Sequence, residues 1–135
     1  MRRWVLDTNV LVSAALAKHS ISRRALEAAR ATGLLLQSAD TLNELITVLT
    51  RPKFDRYVTE TGRQEFLALI SELSFFVATK SHITICRDPK DNKFLELALD
   101  GYGDAIISGD QDLLTLSPFE GIPILTPAQF LDQQP

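Results

Sequence analysis

Short apolar runs alternate with segments of helical period along this chain, and that alternation constrains the fold more than any other feature. Residues 3–6, 34–37, 105–108 and 122–125 read as strands, each a brief apolar run bounded by polar residues, glycine or proline. Residues 22–31, 38 to about 50 and 61–73 read as helices. Gly33 stops the first, and the second ends ahead of Pro52, because the residue before a proline is pushed out of helical dihedrals. A further strand falls at 75–78 or 83–86. Asp88-Pro89 then opens a helix to about residue 99, with Asp88 as cap and Pro89 at the first position, and 127–131 forms a closing helix. Strands and helices in this order predict an α/β domain whose mainly parallel sheet is covered on both faces.

A chain of 135 residues supports one core, so residues 1–135 are read as a single domain without repeats or linkers. Its net charge of −3 gives no global attraction to nucleic acid, so such a partner must be held by local basic clusters or by metal ions. Cys86 is the only cysteine, which excludes an internal disulfide or multi-cysteine zinc site and fits a reducing compartment. Arg2-Arg3, the apolar residues after them and the small residues near Ala17 mimic a secretory signal, but Asp7-Thr8-Asn9 cuts the apolar segment too short. No stretch approaches a membrane span. A cytoplasmic protein is expected.

The polar interruption in "VLDTNVLVSA" demands a reason. In open α/β sheets, ligands bind beyond the carboxyl ends of the strands. Asp7 falls at the end of the first strand, and Asp110 and Asp112, in "SGDQDLL", just past the strand at 105–108. Taken alone, Asp7 reads more simply as an Asx-turn or helix cap. Asp91 shares a helical face with Phe94, Leu95 and Ala98, and an ionisable group on an inward stripe needs a partner; it could equally complete the capping that Asp88 begins. Glu44 lies off the stripe formed by Leu42, Leu45, Ile46 and Leu49, so a solvated face or a capping box with Thr41 explains it without function. Carboxylates gathered in one cleft repel one another unless cations are present. Mg²⁺ or Mn²⁺ suits an all-oxygen site and can assist phosphodiester hydrolysis.

Four blocks in order, "VLDTNVLVSA", "TLNELITVL", "CRDPKDNKFLELAL" and "ISGDQDLLTL", with the closing "IPILTPAQFL", resemble the PIN-domain ribonuclease family, closest to its bacterial VapC-like branch of toxin components from type II toxin–antitoxin pairs. The likeness covers essentially the whole chain. It implies a three-layer α/β/α sandwich with a mainly parallel central sheet and an acidic pocket for Mg²⁺ or Mn²⁺. It places the catalytic, metal-binding acids on Asp7, Glu44, Asp91 and Asp110, with Asp112 as a further ligand or outer group. Thr8 and Asn9 would then orient Asp7 by hydrogen bonds.

The resemblance also implies an RNA substrate and a cognate antitoxin protein, and such small α/β domains often pair as homodimers. Single-stranded RNA threads across a narrow cleft more easily than duplex. Backbone contacts would come from Arg51, Lys53 and Arg56, or from Lys90 and Lys93 beside Asp91. His19 and His82 lack metal-ligand spacing, Cys86 reads as a small buried residue, and Phe66, Phe75, Phe76 and Phe94 read as core. A Mg²⁺-dependent phosphatase or phospho-acceptor domain would need an acid two residues after the first aspartate, where Asn9 stands, or a lysine at a strand end. The remaining alternative is a catalytically silent scaffold that binds RNA or a partner; no core acid is missing to favour it.

Overall fold

A five-stranded sheet in the order β3-β2-β1-β4-β5, parallel at every pairing, forms the centre of the computed structural model, which describes residues 1–134. The strands are β1 (Arg2–Leu6), β2 (Gly33–Gln37), β3 (Ser74–Phe76), β4 (Ala105–Ile107) and β5 (Ile124–Leu125). The helices are α1 (Thr8–Leu16), α2 (Ile21–Thr32), α3 (Ala39–Leu49), α4 (Glu60–Leu73), α5 (Asn92–Asp100), α6 (Gln111–Leu114) and α7 (Pro127–Asp132). The expected three-layer sandwich is present.

Successive strand side chains point to opposite faces, and that period divides the core in two. Trp4, Leu6, Leu35, Ala105 and Ile107 face one way and pack with Leu11, Leu26, Leu45, Ile70 and Phe130 from α1 to α4 and α7. Val5, Leu36, Ile106 and Ile124 face the other way, against Phe94, Leu95 and Ala98 of α5 and Leu113 of α6. Gly33 joins α2 to β2 where the backbones nearly touch: a Cβ there would lie 2.2 Å from the Arg2 carbonyl oxygen.

Several expectations need correction. Residues 8–16, which the periodicity assigns to no element, form α1 directly after β1. The strand alternative at 83–86 fails because those backbone groups are claimed by side chains of α5: Ile83 N–H donates to Glu96 and Cys86 N–H to Asn92, each at 2.9 Å. Asp88-Pro89 opens a 3₁₀ turn, Pro89–Asp91, and the α-helix begins only at Asn92. Phe66 and Phe94 are core, whereas Phe75 and Phe76 are each about half exposed, because β3 is the sheet edge. The Arg3 guanidinium covers the Phe75 ring at 5.6 Å. Cys86 is buried as expected, though outside any strand, and His19 and His82 are exposed. Among the described residues no helix is long and apolar enough to cross a membrane.

Candidate metal centre

All strands being parallel, their carboxyl ends share one rim, and the acids collect there. Asp7, Glu44, Asp91 and Asp110 line one cleft of about 180 Å³ with Thr8, Asn9, Arg51, Asp88 and Lys90. Three of these acids owe their place to element starts: Asp7 caps α1, Asp110 caps α6 and Asp91 ends the turn leading into α5. Helix starts offer free N–H groups that favour negative charge, so the fold tolerates acids at these points.

Asp7 is almost wholly buried, with 4% of its surface exposed. One carboxylate oxygen accepts from the Val10 N–H at 2.9 Å and the other from the Ser108 hydroxyl. The capping reading of Asp7 is therefore correct as local structure, yet it uses only one oxygen. Burial pushes the Asp7 carboxyl up to about 6, against the hydrogen bonds from Ser108 and Val10, and the charges of Asp110 and Glu44 add to the rise. Ser108, fully buried at the end of β4, also accepts from the Asp110 N–H at 3.0 Å, so one hydroxyl ties the first acid to the fourth.

Asp91 is pushed up to about 7, first by burial, then by the adjoining Asp110 carboxyl and the charges of Asp88 and Asp7. Its buried Oδ2 has no hydrogen-bond donor among the described residues. Such an orphan is costly, and it faces a cluster in which Asp91, Asp110 and Asp112 each offer an oxygen within 4.8 Å of the others. Asp112 lies outside the lining of the acid cleft. An all-oxygen donor set with an unsatisfied carboxylate fits a hard divalent cation. Cys86 lies outside that cluster, and burial and the nearby acids push its thiol up to about 11.

Glu44 reaches the cleft from α3, with both oxygens engaged. One accepts from the Thr8 hydroxyl and the other pairs with the Lys93 ammonium at 2.5 Å. Thr8 thus serves Glu44 and not Asp7, whose orientation comes from Val10 and Ser108; Asn9 only lines the cleft. The capping box of α3 is made by Ser38 and Thr41, which removes the Thr41–Glu44 alternative.

Of the expected basic contacts, Arg51 and Lys90 line the cleft and Lys93 is paired with Glu44. Lys53 and Arg56 lean over the rings of Phe54 and Tyr57, at 5.1 and 5.7 Å, and take no part in the lining. Periodicity overlooks Arg63, buried in α4, which donates to the carbonyls of Leu49 and Arg51 and to Asp55, and so fixes the turn that carries Arg51. Its signal would have been a lone arginine at helical spacing from Phe66 and Ile70.

A sequence model of the PIN domain family matches residues 3–112. An uncharacterised protein of Methanocaldococcus jannaschii is 30% identical over 114 residues, covering 83% of this chain and 73% of that protein. Among solved structures, VapBC2 from Rickettsia felis, bound to a DNA fragment from their promoter, contains a chain similar in fold with a TM-score of 0.61 and 14% identity, covering 92% of this chain and 98% of that one. FitAcB from Neisseria gonorrhoeae contains another, at a TM-score of 0.55 and 17% identity, covering 93% and 98%.

Proposed function

The chain belongs to the PIN-domain family, and from that premise we propose that it is a Mg²⁺- or Mn²⁺-dependent endoribonuclease, the toxin of a toxin–antitoxin pair. The observation that carries the proposal is the buried, unpartnered Oδ2 of Asp91 beside Asp110, on the same cleft as Asp7. Asp7, Asp91 and Asp110 would hold the cation, joined by Glu44 when it gives up Lys93, with Asp112 at the flank. A bound Mg²⁺ or Mn²⁺ supplies Lewis acidity toward a phosphodiester and a water of lowered pKa.

The chain's own groups set up the rest. Ser108 and the Val10 N–H keep Asp7 in one orientation, so no rearrangement is needed when charge develops. Arg51 and Lys90 at the mouth attract the phosphate backbone to a cleft that is otherwise acidic. Its small volume favours a single strand over a duplex. The likeness of fold to VapBC2 supports a cognate antitoxin as the regulating partner.

The purified protein is expected to cut mixed single-stranded RNA with Mg²⁺ or Mn²⁺, and to stop with EDTA or as Asp7→Asn. Cleavage that survives EDTA refutes the metal mechanism. Metal binding without hydrolysis would instead mark a scaffold for RNA or a partner.

A further inference from the structure

Lys93 stands two residues after Asp91 and crosses from α5 to α3, where its ammonium meets Glu44 at 2.5 Å. Both side chains are only about one-fifth exposed, at 20% and 21%, so this is not a solvent-screened surface pair. Thr8 holds the other oxygen of the same carboxylate. Glu44 is therefore satisfied by groups of the chain, while Asp91 on the same cleft keeps a buried oxygen without a donor among the described residues. Lys93 also lines a second groove with Asp40, Asn43, Thr47 and Arg51, continuous with the acid cleft through Glu44, so its ammonium has polar space to enter if it leaves the glutamate.

We propose that Lys93 is the resident counter-ion of Glu44 and sets how tightly the centre takes up a divalent cation, because Glu44 must exchange the ammonium for that cation. This rests on the metal-dependent reading above. Lys93 is a positioning residue, acting through Glu44. While the pair is closed, Glu44 is withheld from the cation, and removing the ammonium frees that carboxylate to take part in binding.

The test is a double-mutant cycle on Mn²⁺ binding, read by calorimetry at neutral pH on the full chain, with circular dichroism to establish folding. Lys93→Met is expected to bind Mn²⁺ about three- to tenfold tighter than the unaltered protein, the range for removing one partly buried opposing charge. Lys93→Arg, which keeps the charge, should stay within about twofold. In a Glu44→Gln background the gain from Lys93→Met should fall below about twofold, because the contact through which it acts is gone. Unchanged or weaker binding by Lys93→Met overturns the proposal, as does an equal gain with Glu44→Gln. Should Lys93→Met fail to fold, Lys93→Gln replaces it in the same cycle. Absence of Mn²⁺ binding by the unaltered protein would refute the metal-dependent reading itself, an outcome distinct from either failure.

Discussion

Replacing Asp7 with asparagine should stabilise the metal-free protein at neutral pH, although it removes the residue at the heart of the site. A carboxyl whose pKa is higher in the folded chain binds its proton more tightly there. Its contribution is therefore most favourable below the unfolded value and is lost as pH rises through the folded one. For Asp7 that window runs from 3.8 to about 6. The rise corresponds to about 3 kcal/mol of destabilisation at pH 7, with burial as its main cause and little solvent to screen it. Asparagine removes that cost and remains an equally good cap for α1 through the Val10 N–H. It forfeits the bond from Ser108, worth about 1 kcal/mol. The net gain is about 2 kcal/mol, or about 8 °C in Tm for a domain of this size. Near pH 3 the gain vanishes, since the carboxyl is then largely neutral in both states. Thermal unfolding in EDTA at both pH values measures it. With Mn²⁺ at about a hundred times its Kd, the unaltered protein should recover about 3 kcal/mol and the order should reverse. An Asp7→Asn protein less stable than its parent at neutral pH in EDTA would mean that the carboxylate is held as a stabilising charged cap and carries no burial cost.

Two further outcomes follow from the same geometry. Ser108→Ala deprives Asp7 of its side-chain donor and Asp110 N–H of its acceptor, and should cost about 1–3 kcal/mol in urea unfolding while reducing metal-dependent cleavage; full activity would show that the link between the two acids is dispensable. Removing Arg51 and Lys90 together should lower the salt slope of single-stranded RNA binding by about 1.4, whereas removing Lys53 and Arg56 should leave it unchanged, and the reverse pattern would place the strand elsewhere.

Much of the architecture is legible in the sequence because strand and helix periods are local. The runs at 3–6, 34–37 and 105–108 lie within a residue of β1, β2 and β4, and Phe94, Leu95 and Ala98 form the expected buried stripe, while Asp91, half-buried, belongs to the turn ahead of the helix. Helix α1 escapes this reading because it buries Val10, Leu11, Val12 and Ala14 together, which is too continuous an apolar run to carry a helical period. The side-chain partners of the acids escape it for another reason. Ser108 meets Asp7 across 101 positions and Lys93 meets Glu44 across 49, pairings that only the sheet order brings about. Glu44, off its own apolar stripe, gains its place at the cleft from Thr8 and Lys93, contacts that no helical wheel contains.

Anomalous scattering from a crystal grown with Mn²⁺ would locate a divalent cation among these acids. A strong peak bounded by Asp7, Asp91 and Asp110 is expected, lost in Asp91→Asn. A Mn²⁺ peak away from these carboxylates, or one that Asp91→Asn leaves in place, would contradict a metal centre there.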